Sequence, residues 1–331
     1  MSEGAGSERA AAGPATVVRA VFFGSGAFAV PILEALAAMP GVRVEAVVSA
    51  PDRPVGRKAV VTPTPVTARA RELGLPLLQP VRVRRPESVA ALTALGPDLI
   101  VLADYGQLIP RVLLDLPPRG FLNLHPSALP RWRGAAPIPA TILAGDTESS
   151  VSLMVLTEEM DAGPIVAAEP LAVLPDDTAS TLEERAAAAA AGLLRRALPE
   201  WLAGRRVARP QPAEGLTVTR PLRREDGRLD AGRPAVELER QVRAYQPWPG
   251  SFVETSIGRL IVWRASVCPS EPADVPSMLV AHGDGLALAA ASGRLRLDEV
   301  QLAGKGRITG AELRRGHPGL VGGFVGRPPG A

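Results

Sequence analysis

Residues 17–37 read VVRAVFFGSGAFAVPILEALA, and this stretch sets the fold class. Val17 to Phe23 is a short apolar run, rich in β-branched and aromatic side chains, that stops at Gly24-Ser25-Gly26. Behind the glycines, Phe28, Ile32, Leu33, Leu36 and Ala37 recur at helical spacing. A strand, a tight turn and a helix in that order open a βαβ unit. The pattern continues outward. Val42 to Ser49 reads as a second strand, broken at Pro51-Asp52-Arg53-Pro54. Thr67 to Leu73 reads as helix, Leu75 to Leu78 as a short strand, and Pro86 to Leu95 as helix. Leu99 to Ala103 is apolar on both faces, as a strand inside a parallel sheet must be. The expectation is an α/β fold, a Rossmann-like open parallel sheet with helices on both sides.

Further along, the alanine-rich run from Ala179 to Trp201 reads as a long helix. Thr181 is the expected cap, with Glu183 and Glu184 in the first turn and Arg195 and Arg196 towards the end. Gly204 to Pro212 has linker composition, which places a boundary near 205–215. After it come short alternating runs, Arg259 to Arg264, Leu279 to Ala281, Leu286 to Ala290 and Leu295 to Leu297, separated by glycine-rich turns. One helix, Ala235 to Ala244, interrupts them. That texture reads as a smaller β-barrel or half-barrel, OB-like. The expected organisation is a disordered N-terminal extension at 1–16, an α/β domain at 17–208 and a β-barrel domain at 209–331.

Composition excludes several function classes. The chain has 331 residues, 46% hydrophobic and 21% charged, too apolar for a disordered protein. Its longest apolar runs fall short of the roughly 18–20 residues a membrane helix needs. The start, MSEGAGSERAAAGPA, lacks the basic and apolar regions of a secretory signal, so a cytoplasmic location is expected. One cysteine, Cys268, rules out a disulfide framework, and three histidines rule out a histidine-rich metal cluster. No metal is expected. Residues 201–331 carry 19 basic and 13 acidic side chains, a net +6, whereas residues 1–200 are net −3. A basic C-terminal third suits a phosphate-bearing partner, or is simply a solvated face.

Two motifs invite chemistry. Gly24-Ser25-Gly26-Ala27-Phe28-Ala29 fits the G-x-G-x-x-A pattern of dinucleotide folds. Yet Glu45 falls inside the second strand and Asp52 in a proline-rich turn, so neither is well placed for a ribose. The glycines either only permit the tight turn or leave room for a ligand over the helix N-terminus. The second motif is Gly120-Phe-Leu-Asn-Leu-His-Pro-Ser-Ala-Leu-Pro-Arg-Trp-Arg-Gly-Ala-Ala-Pro-Ile138. In a strand, Asn123 and His125 share one face with β-carbons about 6–7 Å apart, and Pro126 ends the strand. An amide and an imidazole at the carboxyl end of such a strand stand where open α/β sheets bind ligands.

This second block, with Met160-Asp161-Ala-Gly163, strongly resembles the 10-formyltetrahydrofolate-dependent formyltransferases, and in particular the members acting on methionyl-tRNA. The resemblance also takes in Ser25 to Phe28 with Pro31, Pro51 to Arg57, Thr62 to Val66, Tyr105-Gly106 and Arg243 to Pro249. It implies that residues 17–208 are the catalytic domain and 209–331 a tRNA-binding domain. It further implies transfer of the formyl group of 10-formyltetrahydrofolate to the α-amine of methionyl-initiator tRNA. Asn123, His125 and Asp161 fall on the family's catalytic positions, the first two to stabilise an oxyanion and the third to handle protons. Ser127, Ala128, Leu129 and Pro130 correspond to its folate-contacting segment. Arg53, Arg57 and Lys58 match its tRNA-inserting loop. The sequence departs from the common pattern at Pro126, Ala128 and Asp104, which touches the folate pocket more than the chemistry. A purine-precursor formyltransferase would end near residue 210, and the dehydrogenase and sugar-modifying relatives would carry a further large domain. A monomer is expected. Two readings from other classes compete: a nicotinamide-dependent oxidoreductase using Gly24 and Gly26, and a non-catalytic RNA-binding protein using the basic domain.

Overall fold

The computed structural model describes residues 17–55 and 59–326. The expected extension at 1–16, and Arg57 and Lys58, lie outside the described residues.

In chain order the first strands and helices are β1 (Val18–Gly24), α1 (Val30–Ala37), β2 (Val42–Val48), β3 (Arg53–Val55), β4 (Val60–Thr62), α2 (Pro65–Glu72), β5 (Leu77–Leu78), α3 (Pro86–Ala94), β6 (Leu99–Ala103), α4 (Arg111–Leu114) and β7 (Phe121–His125). There follow β8 (Arg133–Gly134), α5 (Pro137–Ala144), β9 (Glu148–Val155), β10 (Ile165–Ala172), α6 (Ala179–Leu202) and β11 (Val218–Thr219). The last part holds α7 (Ala235–Ala244), β12 (Ser251–Thr255), β13 (Gly258–Cys268), β14 (Leu279–His282), β15 (Gly285–Ala289), β16 (Arg294–Leu302), β17 (Arg307–Thr309) and α8 (Gly310–Gly316).

Seven strands form one sheet in the order β10-β9-β7-β6-β1-β2-β5. β5, β2, β1, β6 and β7 pair in parallel, and β9 with β10 is antiparallel. The sheet is therefore open and mostly parallel, with an antiparallel edge. The chain order reverses on either side of β1, so the carboxyl ends of the parallel strands meet a topological switch, where such sheets bind ligands. β6 is buried at every residue, as its two-faced apolar sequence requires.

By contact density the chain separates into two units, Met1–Asn123 with Leu194–Arg206, and Leu124–Leu193 with Val207–Ala331. The first has a core of Phe22, Phe23, Ile32, Leu33, Leu36, Leu99, Ile100, Phe121 and Leu122, all below 2% exposed. In the second, β12-β13-β16-β15-β14 form an antiparallel sheet with β17 added to β16. Leu238 and Val242 of α7 and Leu313 of α8 pack on its apolar face with Leu260, Val262, Leu286, Leu288, Leu295 and Leu297. The strand path is that of a half-barrel, with two helices rather than one.

Local chemistry moves some boundaries. Part of the expected break at Pro51 to Pro54 is strand: Arg53 to Val55 pair with Val60 to Thr62 as a short hairpin. The α6 helix begins at Ala179, and Thr178 is its cap: its hydroxyl accepts from the Thr181 N–H at 3.3 Å and its carbonyl from Leu182. Thr181, the expected cap, lies in the first turn.

Candidate active site

The β7 strand ends in His125, and its period-2 alternation puts Asn123 on the same face. Both are buried, at 5% and 6% exposed. The imidazole has two distinct neighbours. Its Nε2 lies 3.0 Å from the Trp132 carbonyl oxygen. A carbonyl can only accept, so Nε2 carries a hydrogen. The Nδ1 lies 3.7 Å from Asp161 Oδ2, within ion-pair range and longer than a hydrogen bond. The strand and the loop after β9 thus bring His125 and Asp161 together.

Asp161 is held from both ends. Its Oδ2 accepts from the Gly134 N–H at 2.8 Å, and its carbonyl accepts from the Gln211 amide at 2.8 Å. Its backbone is left-handed at φ 50°, an unusual conformation for a residue with a Cβ. Gly163 is required by close approach, since a Cβ there would stand 1.7 Å from the Val155 carbonyl oxygen. The His125 partner is equally constrained. Trp132 has φ 60°, its backbone N–H donates to the Thr217 hydroxyl at 2.8 Å, and its indole N–H donates to Asp146 at 2.9 Å. Arg131 grips the same carboxylate with two bonds and lies 4.2 Å over the Trp132 ring.

Of the folate-segment candidates, Ser127 is fully buried and its hydroxyl donates to the Arg131 carbonyl at 2.7 Å, closing the turn. Its carbonyl accepts from Ser152 at 2.8 Å. Leu129 is buried at 8% exposed, and the Leu129-Pro130 peptide is cis. Ala128 is the exposed member of the four. The end of β7 thus carries an amide and an imidazole on one face, with a carboxyl beside the imidazole. Among the described residues no group of three or more His, Cys, Asp or Glu is placed to hold a metal ion. Nor is any helix among them long and apolar enough to cross a membrane. Arg53 is exposed on the β3–β4 hairpin.

The glycine turn resolves differently from a dinucleotide site. Gly24 packs so tightly that a Cβ would meet Ala29 Cβ at 2.9 Å and the Ala103 carbonyl oxygen at 3.0 Å. The Gly26 N–H, the group a phosphate would seek, donates to the Asp104 carboxyl, and a Cβ at Gly26 would stand 1.6 Å from that carboxyl oxygen. Desolvation by the surrounding atoms lifts the Asp104 carboxyl above the ordinary carboxylate range. The residue as a whole is exposed, but its carboxyl is turned in against Gly26. Both acids discounted as ribose ligands are engaged elsewhere: Glu45 pairs with Arg19 and Arg43, and Asp52 with Arg71 and Gln79.

Sequence reasoning missed Gln211 and Trp132 as parts of this site. The first sat in linker composition. The second stood inside the recognisable block, but its contribution is a carbonyl oxygen that no side-chain pattern reports.

Comparison with known proteins follows the same lines. The model of the Formyl transferase family matches residues 18–198, and that of the Formyl transferase C-terminal domain matches 221–318. The methionyl-tRNA formyltransferase of Myxococcus xanthus is 42% identical over 300 residues, which cover 90% of this chain and 95% of that one. Among solved structures, an N-formyltransferase from Helicobacter canadensis in complex with folinic acid and dTDP-3-aminofucose superposes with a TM-score of 0.63 at 14% identity, over 85% of this chain and 98% of that one. HypX from Aquifex aeolicus in complex with tetrahydrofolic acid gives 0.58 at 16% identity, over 90% of this chain but 47% of that longer one. These last two likenesses are of fold.

Proposed function

The chain belongs to the formyl transferase family through both of its domains, and from that premise we propose that it formylates methionyl-initiator tRNA. The donor is 10-formyltetrahydrofolate and the product, N-formylmethionyl-tRNA, serves translation initiation. The single observation that carries the site is the His125 imidazole fixed between the Trp132 carbonyl and the Asp161 carboxylate at the end of β7.

In the reaction the neutral α-amine attacks the formyl carbon, a C–N bond forms, and the carbonyl oxygen becomes an oxyanion. The Asn123 side-chain amide donates to that oxygen. Because the Nε2 hydrogen of His125 is engaged by Trp132, Nδ1 is the ring nitrogen left for the reaction, and it donates to the oxyanion when the ring carries both hydrogens. Asp161, beside Nδ1, balances the imidazolium. Directly or through water it accepts the proton from the attacking nitrogen and returns it to N10 as the C–N10 bond breaks. No covalent enzyme intermediate is formed. The folate lies along Ser127, Ala128, Leu129 and Pro130, with exposed Ala128 its nearest surface. Residues 17–208 carry the chemistry. Residues 209–331 supply a basic grip on tRNA phosphates, and Arg53, Arg57 and Lys58 reach the acceptor stem.

Formyl transfer from 10-formyltetrahydrofolate to methionyl-initiator tRNA, measured for the wild type beside His125→Ala and Asp161→Ala, tests this. Product from the wild type and at least about a 100-fold loss in both variants is expected, the order that removal of one oxyanion donor produces. Folate binding without transfer would leave the donor and overturn the acceptor. Absence of folate binding would overturn the reading.

A further inference from the structure

Residues 209–219 lie between the stretches matched by the two family models and have the composition of a linker, yet they are bonded into the catalytic loops. Arg209 and Ile165 exchange both backbone bonds, at 2.8 and 2.7 Å. The Thr217 N–H donates to the Pro130 carbonyl at 3.3 Å, and the Thr217 carbonyl accepts from the Arg133 N–H at 3.0 Å. Val218 and Thr219 form a parallel pair with Arg133 and Gly134. The Thr219 hydroxyl accepts from the Ala136 N–H and donates to the Arg133 carbonyl, both at 3.0 Å. A flexible tether has no reason to make such bonds. This segment is a strap across the loop 130–136 and the loop 161–165.

Gln211 is its centre. Its Nε2 donates to the carbonyls of Asp161 and Gly163, both at 2.8 Å, and its Oε1 accepts from Arg133 Nε and Nη2 at 3.0 and 2.8 Å. Carbonyls only accept and guanidinium only donates, so the amide has one orientation and all four of its bonding positions are filled. Arg133 is itself buried at 8% exposed. The two carbonyls that Gln211 holds flank the left-handed turn of Asp161, a conformation that persists only when surrounding bonds over-determine it. The same loop of Arg133 leads to Gly134, whose N–H holds the Asp161 carboxylate, and follows Trp132, whose carbonyl holds His125.

We propose that Gln211 is a positioning residue for Asp161, holding the proton-handling carboxylate against His125 through the strap that leads into the C-terminal domain. The proposal rests on the catalytic reading above. Substrate contacts are not involved, so its loss falls on kcat and leaves KM for either substrate nearly as it was. A displacement of about 1 Å in a reacting group costs on the order of 100-fold in rate, which sets the scale.

Two variants test it in the full-length protein. Gln211→Ala removes the amide. Gln211→Glu keeps its shape and the Arg133 contact, but when ionised it presents oxygens to the Asp161 and Gly163 carbonyls. Expected for both is a kcat about 10- to 100-fold below wild type at neutral pH, with KM for methionyl-tRNA and for 10-formyltetrahydrofolate within about twofold. The Arg133 guanidinium that the Gln211→Glu carboxyl faces keeps it ionised, so its defect should persist across the pH range in which the wild type works. Amide hydrogen exchange across residues 160–165 should quicken in Gln211→Ala relative to wild type. A merely structural glutamine would lower the melting temperature and leave kcat of the folded variant unmoved, which would overturn the proposal. Should the wild type itself fail to transfer formyl, the catalytic reading falls. The exchange rates alone then decide, unchanged protection at 160–165 overturning the positioning role.

Discussion

Trp132 and Asp161 both hold left-handed backbone, at φ 60° and 50°, and each such residue costs on the order of 1–3 kcal/mol. Their bonds to Thr217, Asp146, Gly134 and Gln211 offset that cost and fix a carbonyl and a carboxylate on opposite nitrogens of one imidazole. Asp161→Asn keeps an oxygen for the Gly134 N–H but loses the negative charge beside His125 Nδ1. Its formyl-transfer rate should fall at least about 100-fold, with thermal melting close to wild type. At Asp104 the effect is on stability and depends on pH. The folded-state pKa is raised, so the folded protein holds this proton more tightly than the unfolded chain does. The contribution to stability is complete below the unfolded pKa and is lost as pH rises through the folded one. Asp104→Asn still accepts from the Gly26 N–H and escapes the loss. Its melting temperature should exceed that of wild type at pH 8 and not at pH 3, as scanning calorimetry would record. At this scale Asn123 and His125 were legible because strand alternation is local. Asp161 was legible only through the family motif, since a loop carboxylate before a glycine has no pattern of its own.

Whole elements aim these side chains. The β7 strand ends at His125, just before Pro126, and the carboxyl end of a parallel strand is where open α/β sheets bind ligands. The β1–α1 turn works the same way for packing, and Gly24 is its tightest point. Gly24→Ala forces a methyl against Phe22, Ala29 and the Ala103 carbonyl. Overpacking of that kind should cost about 1–3 kcal/mol, visible as a lower urea midpoint with the denaturant slope preserved. The strands and helices with strong periodicity, β1, β6, α6 and α7, follow the sequence reading within a few residues. Others escaped it, among them β9, β10, α5, β12, β17 and α8, whose side chains show too little period to stand out and which gain their order from the elements they pair or pack with.

At the level of the molecule, charge is uneven along the chain. The net +6 of residues 201–331 faces a tRNA in the proposed reaction. Raising the salt concentration should therefore raise KM for methionyl-tRNA, with log KM climbing in proportion to log salt. The KM for 10-formyltetrahydrofolate should respond far less, since it engages few charges. Steady-state kinetics over 50–300 mM salt, varying each substrate in turn, would read both slopes, and equal slopes would argue against a distributed phosphate grip.

Legible in the chain alone were an open parallel α/β sheet, a smaller β-domain after it and the Asn123-x-His125 pair on one face of a strand. Each follows from the period of side chains along a strand or helix, a property neighbours in sequence carry alone. Tertiary structure decided that Asp104 fills the glycine turn, that Trp132 lends a carbonyl to His125, and that Gln211, 50 residues beyond Asp161, closes on its backbone. Each of those bonds joins a side chain to a backbone atom in another loop or strand, and every residue possesses such atoms. No residue type announces them, and only the folded path of the chain brings them within 3 Å.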